Sequence, residues 1–189
     1  MAVIVQVGEN IIGDGFPTYI VGEIGINHNG DVEIAKKLVD AAHLAGCNAV
    51  KFQKRDPQKA VPLEYRNVKR ETPWGIISYL DYRYKVEFGE KEYHEIDEYC
   101  RTKNIGWFAS CWDESSVDFI ENFSPICYKA ASASLTNLPL LKKMKSTGRP
   151  LIISSGMSTV EEIDRAVDVL DTENLVISHS TSSYRCPNE

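Results

Sequence analysis

The stretch PLIISSGMSTVEEIDRAVDVL (residues 150–170) contains the two patterns that decide the fold. Residues 150–154 form a continuous apolar run, which is typical of a strand buried on both faces. Ser158-Thr159-Val160-Glu161 then has the capping-box spacing of a helix start, and apolar side chains from Ile163 to Leu170 recur at helical spacing. The stretch therefore predicts a buried strand followed by an amphipathic helix.

The same pair of patterns repeats along the chain. The other apolar runs cover residues 19–24, 49–53, 106–110, 126–130 and 175–179. Helical periodicity follows most of them, with Asp31 and Asn137 as expected N-caps, a helix from about Glu90 to Lys103, and another after Asp113. This alternation of strands and helices predicts an α/β fold with parallel strands.

Two segments interrupt the alternation. Residues 3–15 have the pattern of a small hairpin that turns at Gly8-Glu9-Asn10. Residues 54–88 form a long connection with several prolines and aromatic residues. Long ordered connections are often lids or binding loops, and an additional packed helix is the alternative for this one.

Composition excludes several classes of protein. The 189 residues carry 21 Lys and Arg against 27 Asp and Glu, a net charge of −6 that argues against nucleic acid as a partner. An apolar content of 43% and a charged content of 25% are those of a globular domain, not of a disordered chain or a coiled coil. No apolar run reaches the roughly 18 residues of a membrane span.

The five cysteines are odd in number, and no two of them form a CxxC pair. A disulfide framework or a zinc ribbon is therefore not expected. The start of the chain, MAVIVQVGEN, lacks the basic and apolar regions of a secretory signal. Reduced thiols and a cytoplasmic location are the expectation.

Polar residues at the ends of the predicted strands mark the candidate site, because ligands of parallel α/β folds bind beyond the carboxyl ends of the strands. Lys51 and Lys129 lie inside apolar runs, where lysine is rare without a partner. Each could pair with a carboxylate such as that of Glu23 as part of the structure. Each could instead bind a phosphate or carboxylate ligand, or act as the nucleophile of a Schiff-base aldolase. His28 and His179 are candidate metal ligands or, more commonly for a single histidine, hydrogen-bonding residues.

Five segments together resemble the sialic acid synthase family, which includes N-acetylneuraminate synthase and bacterial synthases of legionaminic-type sugars. The segments are VGEIGINHNGD (21–31), AVKFQ (49–53), YKAASASLTNLPLL (128–141), PLIISSGMST (150–159) and HSTSSY (179–184). The resemblance implies a (β/α)8 barrel of the TIM type that condenses phosphoenolpyruvate with an N-acylated mannosamine-type aldose. In that reaction C3 of the enol phosphate attacks the sugar aldehyde, water adds at C2, and phosphate leaves.

The resemblance also assigns roles to residues of this chain. Those implied to bind phosphoenolpyruvate are Lys51, Ser110, Lys129, Ser132, Ser154 and Ser182. Those implied to contact the aldose are Glu23, Gln53 and Tyr184, and Glu23 is the candidate for catalytic proton transfer. Many relatives carry an acidic residue where this chain has Ser134, which indicates a different sugar contact.

The resemblance further implies a divalent metal, Mn²⁺ or Mg²⁺, bound by histidines on the seventh and eighth barrel units. The chain stops at Glu189, after the sixth strand, so we expect none of these ligands in it, and His28 and His179 are not expected to replace them. The predicted organisation is a hairpin over residues 1–16 and an incomplete barrel of about six βα units over 17–189. The last two units and the family's C-terminal antifreeze-like domain would be missing.

Three functions follow from this organisation. The first is a sialic acid synthase-like chain, inactive or impaired by itself, whose open barrel edges favour a homo-oligomer. The second is a non-catalytic fragment that binds an anion. The third is a Schiff-base aldolase on a similar barrel.

Overall fold

The computed structural model describes residues 4–183 of the chain. These residues divide into two compact units. One unit comprises residues 20–125, and the other joins the N-terminal segment 4–19 to residues 126–183.

Ten strands and seven α-helices lie within residues 4–183. The strands are β1 (Ile4–Val7), β2 (Asn10–Gly13), β3 (Val21–Gly25), β4 (Ala49–Lys54), β5 (Lys69–Thr72), β6 (Gly75–Ser78), β7 (Gly106–Cys111), β8 (Tyr128–Ala130), β9 (Leu151–Ser154) and β10 (Leu175–Ser178). The helices are α1 (Val32–Leu44), α2 (Pro57–Ala60), α3 (Tyr79–Val86), α4 (Glu90–Thr102), α5 (Glu114–Glu121), α6 (Leu138–Lys145) and α7 (Val160–Leu170).

In the unit of residues 20–125, β4 lies between β3 and β7, and both pairings are parallel. Ala49, Val50 and Phe52 of β4 have no exposed surface, so the strand is covered on both faces, as its continuous apolar run predicts. The carboxyl ends of β3, β4 and β7 therefore lie side by side, which positions the polar residues that follow them.

In the unit that contains residues 126–183, β9 lies between β8 and β10, again in parallel. Its four residues are all buried. The six parallel strands predicted from the apolar runs are thus all present, and the α/β class is confirmed. A complete (β/α)8 barrel has eight such strands.

Side-chain caps fix the starts of the helices that the sequence predicted. Asp31, Asp113 and Asn137 each accept hydrogen bonds from the first turn of the helix that follows. For α7, the capping box is formed by Thr159 and Glu162, one residue later than the predicted pair. The shift follows from the register of the helix, since Thr159 is the residue whose hydroxyl reaches the third backbone N–H of α7.

Both interrupting segments are ordered. Strands β1 and β2 form the predicted hairpin, with Gly8 and Glu9 as the two-residue turn. Residues 54–88 fold into α2, a second hairpin formed by β5 and β6, and α3. The segment is thus a small substructure that includes the additional helix named as the alternative.

The core of the unit of residues 20–125 is aromatic. Tyr93 on α4 stacks on Trp107 of β7 with ring centroids 5.6 Å apart, and it meets Phe52 and Phe119 edge to face. Its hydroxyl donates to the backbone oxygen of Gln53 at 3.1 Å. Helix α4 is thereby anchored to the carboxyl end of β4.

The four cysteines within residues 4–183 are free thiols. Burial raises the pKa of Cys100 to about 12, and burial likewise raises the pKa values of Cys111 and Cys127. These thiols pack as small apolar side chains. No helix in the described part of the chain is long and apolar enough to cross a membrane.

Candidate functional site

Lys51 lies at the centre of a cluster drawn from three adjacent parallel strands. Its ammonium Nζ is 2.8 Å from the carboxylate Oε2 of Glu23 on β3 and donates to the hydroxyl of Ser110 on β7 at 3.1 Å. We call Glu23, Lys51 and Ser110 the Lys51 cluster. Since Lys51 pairs in register with Glu23 and Phe108, its side chain runs along the strand to reach Ser110, towards the carboxyl ends.

The two charges of the Lys51 cluster differ in exposure. The side chain of Lys51 is 9% exposed, whereas that of Glu23 is 48% exposed. The lysine also donates to the backbone oxygen of Phe52, but at 3.5 Å this contact is longer than an ordinary hydrogen bond. An ammonium has three donors, so one donor of Lys51 is only weakly used and an anionic ligand could take it.

The side chains of Glu23 and Gln53 both border the space beside Gly25. The register of β3 shifts between Glu23 and Gly25, and Gly25 adopts a φ of +58°. A Cβ at this position would lie 2.8 Å from Oε1 of Glu23 and 3.3 Å from Nε2 of Gln53. The glycine therefore leaves space that both polar groups border.

Arg55 and Glu87 form a buried ion pair beside Gln53. Nε of Arg55 is 3.0 Å from Oε1 of Glu87, and Nη2 of Arg55 donates to Oε1 of Gln53. Burial raises the pKa of Glu87 even though Arg55 and Lys54 lie nearby, and it lowers the pKa of Arg55. Sequence reasoning missed both residues. The signal for Arg55 was its position two residues after Gln53, directly beyond the end of β4, because residues i and i+2 share a face along a strand.

Three serine hydroxyls meet in the other unit. Oγ of Ser154 lies 2.7 Å from Oγ of Ser132 and 2.6 Å from Oγ of Ser180, so the three form a hydrogen-bonded chain. They follow or end β8, β9 and β10, and we call them the serine chain. Ser180 was missed at the sequence level, where only its neighbours in HSTSSY were singled out.

Gly156 packs directly against the serine chain. A Cβ there would lie 2.7 Å from Oγ of Ser132 and 3.3 Å from Cβ of Ser180. The hydroxyl of Ser182 accepts a hydrogen bond from the backbone N–H of Met157 at 2.8 Å. Residues 154–158 (SSGMS) therefore form a tight turn that packs against Ser132 and Ser180. Ser182 stabilises this turn through its hydrogen bond with Met157.

The predicted site residues are thus found in two groups. Within residues 20–125 the structure brings Glu23, Lys51 and Ser110 into contact, with Gln53 adjacent. Within the other unit it joins Ser132 to Ser154. Lys129 lies half-buried in β8. Tyr184 lies outside the described residues. Ser134 is buried in the turn after β8.

The two candidate metal ligands, His28 and His179, lie in different surroundings, and neither contacts the Lys51 cluster or the serine chain in the contacts described above. His28 is 2% exposed, stacks on Phe88 at 3.9 Å, and accepts the backbone N–H of Gly30 on Nδ1. His179 is exposed. Residues 4–183 contain no group of three or more His, Cys, Asp or Glu side chains placed to hold a metal ion.

Comparison with known proteins identifies the family. The model of the NeuB family matches residues 38–189, and the N-acetylneuraminate-9-phosphate synthase of Drosophila melanogaster is 37% identical over 88% of this chain. The chain belongs to the NeuB family. The N,N'-diacetyllegionaminic acid synthase of Campylobacter jejuni is 31% identical over 90% of the chain.

Solved structures place the NeuB-family chain among TIM-barrel-type folds. The crystal structure of N-acetylneuraminic acid synthetase from Leptospira borgpetersenii in complex with citrate matches 100% of this chain and 62% of that chain, with a TM-score of 0.87 and 27% identity. The chain covers 46% of the Drosophila relative and 53% of the Campylobacter relative. It therefore spans about half the length of the curated relatives it matches.

Proposed function

We propose that this chain carries phosphoenolpyruvate- and aldose-binding residues of a sialic acid synthase-type enzyme. The reaction would join C3 of phosphoenolpyruvate to the aldehyde carbon of an N-acylated aldose, with addition of water and release of phosphate. The observation that carries the proposal is the Lys51 cluster, at the carboxyl ends of three parallel strands in a chain of the NeuB family.

Lys51 is the proposed anchor for an anionic group of phosphoenolpyruvate. Its ammonium is buried and keeps a weakly used donor, and a charge-assisted hydrogen bond in such surroundings is stronger than one in water. The bond from Lys51 to Ser110 fixes the direction of the ammonium. The Leptospira borgpetersenii structure is a complex with citrate, which is itself a polycarboxylate anion.

Glu23 is the proposed group for proton transfer. The reaction must add a proton to the aldehyde oxygen and remove one from the attacking water. Oε2 of Glu23 is held by Lys51, while Oε1 borders the space in front of Gly25. A carboxylate that is fixed on one side and accessible on the other can exchange a proton with a ligand. Ser132 and Ser154 have hydroxyls that can donate to phosphate oxygens, and they remain proposed phosphoenolpyruvate ligands.

A Schiff-base aldolase is the third candidate from the sequence, and the geometry favours it less. A nucleophilic amine must be approached by a carbonyl carbon, whereas Lys51 is 7% exposed and already contacts Glu23 and Ser110. Treatment with borohydride in the presence of a carbonyl substrate separates the two, because the synthase reaction forms no imine. Reductive trapping on Lys51 or Lys129 would establish the aldolase.

Phosphoenolpyruvate binding tests the proposal directly. We expect phosphoenolpyruvate to raise the thermal midpoint of the chain, and Lys51→Met to weaken its binding about 100-fold through the loss of a buried charged hydrogen bond. Lys37→Met, at an exposed position on α1, is the matched control and should bind normally. Equal binding by the wild-type chain and Lys51→Met would contradict the proposed anchor.

Turnover distinguishes an active synthase from a non-catalytic anion-binding chain. The measurement is phosphate release from phosphoenolpyruvate in the presence of N-acetylmannosamine and Mn²⁺. Slow or undetectable release together with tight phosphoenolpyruvate binding is expected for the chain alone. Release at the rate of an ordinary enzyme would show that the prediction of an impaired chain is wrong.

A further inference from the structure

Arg55 contacts the side-chain amide of Gln53, and this contact decides which amide atom points towards Arg55. A guanidinium carries only donors, so the amide of Gln53 must turn its oxygen towards Arg55 to accept from Nη2. The amide nitrogen then points the opposite way. This orientation does not depend on how the oxygen and nitrogen of the amide are assigned, because the reverse orientation would set donor against donor.

The freed amide nitrogen faces the space in front of Gly25. A Cβ on Gly25 would lie 3.3 Å from Nε2 of Gln53 and 2.8 Å from Oε1 of Glu23. The same space therefore has one fixed donor, Nε2, and one acceptor, Oε1. A hydroxyl, which both donates and accepts, matches this pair.

The guanidinium of Arg55 is itself held from several sides. Its Nε is 3.0 Å from Oε1 of Glu87, and its backbone N–H donates to Oε2 of the same carboxylate at 3.2 Å. Its Cζ lies 4.4 Å from the ring centre of Trp112. With 4% of its surface exposed, Arg55 has little freedom to release the amide oxygen.

We propose that Arg55, fixed by Glu87, is a positioning residue that orients the amide of Gln53 so that its nitrogen donates to a hydroxyl of the aldose. The inference rests on the proposed function for the identity of the ligand. The orientation of the amide itself depends only on the contacts of the chain. In this proposal Arg55 acts through Gln53 and not by contact with a ligand.

The first test measures the orientation without any ligand. In a ¹⁵N,¹³C-labelled chain, we expect a nuclear Overhauser effect between the side-chain amide protons of Gln53 and an Hα of Gly25. Arg55→Lys retains a charge beside Glu87, but a single ammonium cannot stand at the positions of both Nε and Nη2. The contact with Gln53 is then lost, and the effect should weaken about fivefold. Lys54→Met removes another cation near Glu87, 3.8 Å away, and should leave the effect intact. The proposal is overturned if the wild-type chain shows no nuclear Overhauser effect between Gln53 and Gly25. It is also overturned if Arg55→Lys leaves that effect unchanged.

The second test measures whether Arg55 acts through Gln53. N-acetylmannosamine binding, by calorimetry in the presence of phosphoenolpyruvate, should weaken about tenfold in Arg55→Lys, and phosphoenolpyruvate binding should not change. In a Gln53→Ala background, Arg55→Lys should have no further effect. If Arg55→Lys weakens N-acetylmannosamine binding equally in the wild-type and Gln53→Ala chains, Arg55 does not act through Gln53, and the proposal is wrong. If the wild type does not bind the aldose, the proposed function fails, and the resonance experiment still decides the orientation of Gln53.

Discussion

Replacing His28 by Asn removes a buried imidazole that couples the stability of the chain to pH. His28 lies in the turn between β3 and α1, is 2% exposed and stacks on Phe88. Burial lowers its pKa from the ordinary value of 6.5 to about 4, although a backbone hydrogen bond to Gly25 and the charge of Asp31 act in the opposite direction. The folded chain therefore holds this side chain neutral through the range in which the unfolded chain protonates it.

The sign and size of the effect follow from this difference in pKa. Below pH 6.5 the unfolded state binds the proton and the folded state does not, so stability falls as the pH falls, down to about pH 4. The whole interval corresponds to about 3.4 kcal/mol, at 1.36 kcal/mol per pH unit. Between pH 7 and pH 5, His28 alone should lower the free energy of unfolding by about 1.8 kcal/mol.

Urea denaturation at pH 7 and pH 5 measures this loss. In His28→Asn the amide oxygen can replace Nδ1 as the acceptor for the N–H of Gly30, and nothing at the position titrates. The lost stacking lowers stability equally at both pH values, by about 1–2 kcal/mol. The difference between the two pH values should shrink by about 1.8 kcal/mol relative to wild type.

His94→Gln is the matched control, since the side chain of His94 is 67% exposed on α4. It should leave the pH dependence of the wild type nearly unchanged. If His28→Asn and His94→Gln lose the same stability between pH 7 and pH 5, His28 is not held neutral by burial, and the argument from its packing against Phe88 is refuted.

Two pairs of substitutions test the backbone beside Glu23 and the caps of two helices. Gly25→Ala should destabilise the chain by about 2–3 kcal/mol, because it combines a positive φ with a Cβ 2.8 Å from Glu23. Gly46→Ala has a positive φ but open space, and should cost only about 1 kcal/mol. Asp113→Asn should cost about 2 kcal/mol, since Oδ1 accepts from the backbone N–H of Ser116 at the start of α5, while Oδ2 accepts from the hydroxyl of Ser116 and the backbone N–H of Asp56. Asp31→Asn, where one oxygen accepts both bonds, should cost less than 1 kcal/mol. Urea denaturation measures all four, and equal costs within either pair would contradict the argument for it.

The parallel strands were predictable because their signal is local. A run such as AVKFQ (49–53) is apolar without alternation only if both faces are covered, and Asp31 or Asn137 marks a helix start by its side-chain chemistry. The substructure within residues 54–88 was not predictable in detail. Its hairpin strands β5 and β6 are largely exposed, so no alternation of buried and exposed residues marks them in the sequence.

The sequence could name site residues but not their partners. Lys51 was conspicuous as a charge in an apolar run, and the structure supplies the specific pair with Glu23 and the bond to Ser110. Glu87 could not have been linked to Arg55 in advance, because 32 residues separate them and only the fold of the connecting segment brings them together. The predicted domain limits and homo-oligomer remain predictions.

Because Glu23 is half exposed, the stability of Lys51→Met distinguishes a structural role of Lys51 from a ligand-binding role. A pair with one half-exposed partner contributes about 0–1 kcal/mol to stability, while the burial of Lys51 removes an ammonium from water at a substantial cost. In Lys51→Met, water can solvate the carboxylate left behind, and the methionine side chain suits the apolar strand. The free energy of unfolding should therefore change by less than about 1 kcal/mol, even though phosphoenolpyruvate binding is expected to weaken about 100-fold. A destabilisation of more than about 3 kcal/mol, the size expected for breaking a fully buried pair, would mean that Lys51 is retained for the fold and not for a ligand.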